Sequence, residues 1–256
     1  MSELKYHKIQ KADGVARITF ARPKHNVLNI DMMNEFNAEL ETLSADQDLK
    51  CLVIAGEGPS WCAGVEVADH KPALVDEMIA TFNRIFELID RIEVPTLAAV
   101  HGACLGGGLE VAIACDIIVA AQRALFGQPE IKLGFFPPYA AIRLPQLVGP
   151  AKAIEICTTG KRYTAAEAQA MGLISQAVDD QQLDEAVSGL VKEIQAGSPL
   201  IIRLNKRAVK HHLGMGFPQA LRGVSDLFLK TLMQTEDTLE GIRSFEEKRQ
   251  PVWKNR

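Results

Sequence analysis

The stretch "HGACLGGGLEVAIACD" (residues 101–116) decides the fold. An apolar segment at 95–102 predicts a strand that runs into it, and the part after the glycines has the pattern of a buried helix. Three consecutive glycines would be costly inside a strand or a helix. They are typical of a turn at which the backbone approaches a ligand closely and offers N–H groups at the start of a helix. The stretch therefore predicts a binding site between a strand and a helix.

Two glutamates are placed so that they could share this site. Glu110 falls in the first turn of the predicted helix, where the helix macrodipole favours a carboxylate. Glu130 follows it by twenty residues, in "GQPEIKLGFFPPYA" (127–140), after one predicted strand and one loop. Paired carboxylates in an apolar pocket can divide acid and base work, because burial and mutual repulsion separate their pKa values. The same residues also fit an alternative without a site. In it Glu110 only matches the helix dipole after a tight turn, and Glu130 is exposed to solvent.

A second loop, "GEGPSWCAGVEV" (56–67), also follows a predicted strand and contains the small pair Ala63-Gly64. Two such loops could direct backbone N–H groups at one oxygen and form an oxyanion hole. Small residues in a loop also fit ordinary turn chemistry, so this motif alone leaves both interpretations open. The sequence has no P-loop, no G-x-G-x-x-G fingerprint and no G-x-S-x-G elbow.

Strands and helices alternate through the first part of the chain, which predicts βαβ units and an α/β core to about residue 150. The strands are predicted at 14–23, 49–58, 95–102 and 116–121, and the helices at 29–43 and 73–92. Helical segments follow, one of them with Ser198 as N-cap and Pro199 at its first position. The last helix carries a narrow apolar stripe of Leu239, Ile242 and Phe245, which predicts packing on another domain or subunit.

Composition limits the classes of function. The 256 residues carry a net charge of −4, so there is no basic field to attract nucleic acid. The N-terminus has no signal-peptide pattern, and the apolar runs are too short for a membrane span. Five cysteines without a C-x-x-C pair, and no H-E-x-x-H, indicate free thiols and no metal site. We expect a cytoplasmic protein without a nucleic-acid or membrane partner.

Four motifs together resemble the crotonase (enoyl-CoA hydratase/isomerase) superfamily, in order over nearly the whole chain. They are "WCAGVEV", "HGACLGGGLEVAIACD", "FGQPEIKLG" and "SFEEKR". The resemblance implies an α/β fold with a crotonase-like spiral of ββα units over residues 1–195. It also implies a C-terminal helical region, residues 196–256, that assembles trimers or dimers of trimers. The substrate would be an acyl-CoA thioester, with no further cofactor because coenzyme A is part of the substrate.

The resemblance also assigns roles to residues. The backbone N–H groups of Val65 and Gly107 would hold the thioester oxygen, and Glu110 and Glu130 would hold one water between them as acid and base. Contacts with coenzyme A or the acyl group are expected from Lys24, Val27, Ala63, Gly64, Gly106, Phe136, Pro138, Tyr139 and Lys248.

One departure from the family pattern concerns the acyl pocket. Pro138 stands where typical hydratases have a glycine, and proline has no N–H to orient the water. With Phe135, Phe136 and Tyr139 as walls, the segment predicts a narrow, stiff pocket suited to a flat ring. In these details the chain is similar to the cyclic dienoyl-CoA hydratases of anaerobic aromatic degradation. That similarity implies hydration of cyclohexa-1,5-diene-1-carbonyl-CoA to the 6-hydroxycyclohexenyl thioester.

Four other functions fit parts of the pattern. A straight-chain hydratase is disfavoured by Pro138, and an enoyl-CoA isomerase by the presence of both glutamates. Thioester hydrolysis would use the same oxyanion hole. A non-catalytic binding protein on the same fold is disfavoured because both acids are present and "LNKRAVKHH" (204–212) is only mildly basic.

Overall fold

A computed structural model describes residues 4–256, so residues 1–3 of the predicted core lie outside the described residues. The strands are β1 (His7–Ala12), β2 (Val15–Phe20), β3 (Cys51–Gly56), β4 (Thr96–Val100), β5 (Ala103–Leu105), β6 (Ile117–Ala121), β7 (Leu125–Gly127), β8 (Tyr163–Thr164) and β9 (Gln176–Val178). The helices are α1 (Ile30–Ser44), α2 (Val75–Arg91), α3 (Gly107–Ala114), α4 (Pro138–Val148), α5 (Pro150–Thr159), α6 (Ala165–Ala170), α7 (Leu183–Gln195), α8 (Pro199–Lys210), α9 (Phe217–Lys230) and α10 (Glu236–Glu246).

The strands form two sheets. The larger has six strands in the order β1-β2-β3-β4-β6-β9, and all of its neighbours are parallel except β1 and β2. The smaller has three strands in the order β5-β7-β8, with β5 parallel to β7. Because β4 belongs to the first sheet and β5 to the second, the chain changes sheet just before the glycine triplet. The α/β fold predicted from the sequence is confirmed.

The strand predicted at 14–23 is half of a hairpin. Its partner β1 pairs antiparallel with β2 through a turn at Asp13-Gly14, where both residues have positive φ, 50° and 76°. An Asp-Gly pair is the usual chemistry of such a turn. The sequence of β1 does not predict a strand, because it is mostly polar and only His7 in it is buried.

The faces predicted for the first two helices are buried. In α1, Met33, Phe36 and Leu40 have no exposed surface, and in α2 Phe82 and Ile85 are at most 2% exposed. They pack in one hydrophobic cluster with the larger sheet and with α3. Burying such stripes supplies most of the stabilisation of amphipathic helices in proteins. The site therefore rests on a packed scaffold.

The C-terminal helices begin as predicted and stay partly uncovered. Ser198 accepts a hydrogen bond from the N–H of Ile201 as the N-cap of α8, with Pro199 at its first position. In α10, Leu239, Ile242 and Phe245 are 50%, 48% and 85% exposed. The boundary between residues 195 and 196 stays a prediction. Over residues 4–256, no helix is both long enough and apolar enough to cross a bilayer.

Candidate active site

A cavity of about 350 Å³ lies where the loop before α2, the start of α3 and the segment from Pro129 to Pro138 meet. It is lined by Ala63, Gly64, Val65, Val67, His70, Val75, Met78, Ile79, Phe82, Gly106, Gly107, Glu110, Pro129, Glu130, Leu133, Gly134, Phe135, Phe136, Pro137 and Pro138. Most of this lining is apolar, and the two carboxyl groups are its acidic members. An apolar pocket with a few convergent polar groups is the usual form of a small-molecule site.

Glu110 is held by the start of another helix. It is 2% exposed and lies in the first turn of α3. Its Oε1 accepts hydrogen bonds from the backbone N–H groups of Tyr139, at 2.7 Å, and Ala140, at 2.9 Å. These N–H groups belong to the first turn of α4, which has no intrahelical acceptor for them, and Pro138 occupies the first position, where proline is favoured. One carboxylate oxygen is therefore fixed by two donors.

Both carboxyl groups are more basic than usual. Burial raises the pKa of Glu110 from 4.5 to about 7; the Ala140 N–H opposes this shift, while the charge of Glu130 adds to it. Burial likewise raises the pKa of Glu130 to about 7. Near neutral pH the two groups can thus hold one proton between them, which is what a general acid and a general base in one site require.

The two residues predicted to form the oxyanion hole are adjacent. A Cβ atom on Gly107 would lie 2.5 Å from Cγ2 of Val65, so only glycine allows this approach. Gly107 is the first residue of α3, and neither its N–H nor that of Val65 donates to a backbone acceptor within residues 4–256. Both residues line the cavity, with two backbone donors free to bind an oxygen.

The other two glycines of the triplet are required for equally close contacts. Gly106 has a φ of 53°, and a Cβ there would lie 2.7 Å from Oε1 of Glu130. A Cβ on Gly108 would lie 2.3 Å from the carbonyl oxygen of Cys62. The triplet thus allows the backbone to come close to other protein atoms of the site, and the predicted approach to a ligand stays a prediction.

Aromatic side chains shape the cavity mouth. The ring of His70 stacks on Phe135, with centroids 4.9 Å apart and planes 26° from parallel. Phe136 is 73% exposed at the rim. His70 is thus a wall residue of the cavity.

Nine of the predicted site residues line this one cavity: Ala63, Gly64, Val65, Gly106, Gly107, Glu110, Glu130, Phe136 and Pro138. Four others do not line it: Lys24, Val27, Tyr139 and Lys248. Lys24 and Lys248 are exposed, and their contacts with coenzyme A stay predictions.

Tyr139 has a different place from the one predicted. Its ring stacks on Phe86, with centroids 3.9 Å apart and planes 7° from parallel, and Tyr139 lines another cavity. Tyr139 therefore does not line the cavity with its side chain but donates its backbone N–H to Glu110. Pro138 itself has no N–H, but the two residues that follow it each donate one to Glu110.

The cavity beyond Tyr139 is larger, about 500 Å³, but contains neither glutamate. Both lysines in its lining are paired with acids: Lys206 with Asp116 at 2.6 Å and Lys210 with Asp90 at 3.2 Å. We therefore place the chemistry in the smaller cavity. Among residues 4–256 no three His, Cys, Asp or Glu side chains come together in a way that could hold a metal ion.

Known proteins resemble this chain over nearly its full length. The family described as enoyl-CoA hydratase/isomerase matches residues 10–256. A probable enoyl-CoA hydratase of Rhizobium meliloti is 37% identical over 245 residues, covering 94% of this chain and 95% of the relative. A cyclohexa-1,5-dienecarbonyl-CoA hydratase of Thauera aromatica is 34% identical over 249 residues, covering 97% and 96%. The structure of Pseudomonas aeruginosa DspI matches with a TM-score of 0.93 and 30% identity, covering 99% of this chain and 98% of that one.

Proposed function

The chain belongs to the enoyl-CoA hydratase/isomerase family, and we propose that within it the protein adds water to cyclohexa-1,5-diene-1-carbonyl-CoA, giving 6-hydroxycyclohex-1-ene-1-carbonyl-CoA. The family and its hydratase relatives support hydration of an enoyl-CoA thioester. The cyclic substrate, a role in anaerobic degradation of aromatic compounds by way of benzoyl-CoA, and a cytoplasmic location are parts of the proposal.

The observation that carries the hydratase chemistry is the pair Glu110 and Glu130 in one cavity with the backbone of Val65 and Gly107. In this proposal one carboxylate takes a proton from water as the water oxygen bonds to the ring. The other carboxyl gives a proton to carbon, so the pair ends with the same number of protons as it began. Negative charge that develops on the thioester oxygen is stabilised by the two N–H groups, which stay fixed throughout.

The structures of substrate and product specify where the atoms go. The water oxygen bonds to C2, the double bond moves to C1–C6, and the proton is added at C5. The product name follows once the ring is renumbered from the new double bond. Water and proton are thus delivered to opposite corners of the ring rather than to neighbouring carbons of a chain. A site with two separate carboxyl groups suits this task.

The proline segment supports the cyclic substrate. Pro137 and Pro138 lie in the wall of the cavity, beside the stacked pair His70 and Phe135. Proline fixes φ and stiffens the wall, and a stiff, narrow wall favours a flat ring over a flexible chain. The similarity to the Thauera aromatica protein agrees with this choice.

A straight-chain enoyl-CoA hydratase is the second candidate, because the probable enoyl-CoA hydratase of Rhizobium meliloti is at least as similar in sequence as the Thauera aromatica protein. The two candidates are separated by kcat/KM for the cyclic diene thioester and for crotonyl-CoA, with products identified by mass spectrometry. We expect the cyclic thioester to gain one water and to react at least about tenfold faster. A higher kcat/KM for crotonyl-CoA would replace the cyclic substrate with the straight-chain one, and free coenzyme A as the product would indicate hydrolysis.

We also propose that the protein assembles as a trimer or a dimer of trimers through its C-terminal helices. Helix α9 has no buried residue, and eight apolar side chains on α8 to α10 and in the loop between α8 and α9 are at least half exposed. They are Val209, Leu213, Phe217, Leu221, Phe228, Leu229, Leu239 and Phe245. Exposed patches of this kind mark association surfaces. Light scattering should give three or six times the mass of the chain, and Leu221→Glu with Phe228→Glu should lower it; a monomeric wild type would contradict the proposal.

A further inference from the structure

Gln128 is a fully buried amide that faces Glu130. Its carboxamide nitrogen lies 3.0 Å from Oε1 and 3.1 Å from Oε2 of Glu130, and 3.2 Å from the carbonyl oxygen of Gly106. Carboxylate and carbonyl oxygens only accept hydrogen bonds, so the amide is assigned with its nitrogen toward them. Gln128 therefore donates to one member of the acid–base pair and to the backbone of the glycine turn.

The Gly106 carbonyl is part of the peptide group whose N–H belongs to Gly107, the predicted oxyanion donor. That carbonyl also accepts a hydrogen bond from the N–H of Glu110, at 3.0 Å. Donors at the carbonyl end of a peptide group fix its plane and polarise its N–H, because hydrogen bonds in a chain strengthen one another. One amide thus contacts both the carboxylate and the peptide that would bind the thioester oxygen.

We propose that Gln128 is a positioning residue that holds Glu130 and the Gly106–Gly107 peptide in one fixed arrangement. Glu130, which contacts the water, and the Gly107 N–H, which binds the thioester oxygen, then keep fixed positions relative to each other. A buried amide is costly unless its hydrogen bonds are made, and an apolar side chain of the same size would fill the space without that cost. The presence of the amide is explained if its donors are needed. Donation to Glu130 also favours the ionised carboxylate and so opposes the effect of burial on its pKa.

This role rests on the proposed hydratase activity, and Gln128→Met tests it with a side chain of similar length and no donor. We expect kcat to fall about 10- to 100-fold with KM nearly unchanged, because hydrogen bonds to charged groups are worth that much. Loss of the donor should raise the pKa of Glu130, so a limb of the pH–kcat profile should move up by about one pH unit. Gln128→Glu, which keeps the shape but adds an acceptor and a charge, should move it further. Gln169→Met, on α6 and away from the cavity, is the matched control.

A second measurement does not need turnover. Benzoyl-CoA has a flat ring and no double bond to hydrate, so its carbonyl stretching frequency in the bound state reports polarisation of the thioester oxygen. We expect wild type to lower this frequency and Gln128→Met to lower it less. Variants that keep both the wild-type pH limb and the wild-type carbonyl frequency would overturn the positioning role, whatever their kcat. If wild type hydrates neither thioester, the proposed function fails, and the carbonyl frequencies of wild type and variant still decide the role of Gln128.

Discussion

The backbone N–H of Tyr139 donates to Oε1 of Glu110 over 2.7 Å, although the two residues are 29 positions apart. The contact joins the first turns of α3 and α4, so the carboxylate of one helix sits at the positive end of the other. Tyr139 is itself held by its stacking on Phe86. The segment that begins with Pro138 therefore orients one of the two carboxyl groups and also forms part of the cavity wall.

The raised pKa of Glu110 predicts a cost in stability that appears as the pH rises. The folded-state pKa is about 7 and the ordinary value is 4.5, so the native state binds this proton more tightly than the unfolded chain. Stability is then highest below about pH 4.5 and falls as the pH rises to about 7, and it changes little above that. Glu110→Gln, whose amide oxygen can still accept from Tyr139 and Ala140, removes this loss.

Denaturant unfolding should therefore show Glu110→Gln about 1–3 kcal/mol more stable than wild type at pH 8, and nearly equal at pH 4.5. Glu77→Gln, at an exposed position of α2, is the control and should change little at either pH. A Glu110→Gln protein that is less stable than wild type at pH 8 would contradict the burial cost.

The pH dependence of activity should be bell-shaped with its maximum near neutrality. Burial raises both pKa values to about 7, and the reaction needs one group ionised and the other protonated. Because the groups interact, the two limbs belong to the pair and not to either residue. Measurement of kcat/KM from about pH 5 to about pH 9 tests this. A profile that stays flat across that range would show that the carboxyl pair does not limit the reaction.

Gly106→Ala should disrupt the site without unfolding the protein. The added Cβ would lie 2.7 Å from Oε1 of Glu130, at a φ of 53° that a side chain rarely adopts. We expect kcat/KM to fall at least about 100-fold and stability to drop by about 1–2 kcal/mol. The matched control is Gly189→Ala on α7, where a Cβ meets no atom within 4 Å. That change should preserve activity and, because alanine favours helix, raise stability by about 0.5–1 kcal/mol. If Gly106→Ala and Gly189→Ala were equally active, the close contact between Gly106 and Glu130 would not determine activity.

Local patterns predicted much of this arrangement. The apolar period gave the faces of α1 and α2, and Ser198-Pro199 marked the start of α8, because these signals lie within a few residues of one another. The glycine triplet indicated the position of the candidate site because its signal also lies within a few residues. The short strands β5, β7 and β8 were missed, since strands of two or three residues carry no period. Contacts between segments distant in sequence, such as Tyr139 with Glu110 and Gln128 with Gly106, have no local signal.

Pro138→Gly should broaden the choice of substrate. It removes the constraint on φ and supplies an N–H at the first position of α4. We expect the ratio of kcat/KM for crotonyl-CoA to that for the cyclic diene thioester to rise about tenfold. Pro150→Gly is the matched control, because Pro150 holds the same first position in α5 and does not line the cavity. An unchanged ratio in Pro138→Gly would show that Pro138 does not determine substrate specificity.

If Glu110 and Glu130 together add water to the thioester, single-turnover reactions of Glu110→Gln and Glu130→Gln should each show slow hydration. Saturating enzyme is mixed with the better of the two thioesters, and the water adduct is followed by mass spectrometry, with binding measured separately. Each variant should bind the thioester within about tenfold of wild type and form the adduct about 1,000-fold more slowly, since acid–base groups contribute 10²–10⁴-fold. Adduct formation within about tenfold of wild type in either variant would contradict a mechanism that needs both carboxyl groups.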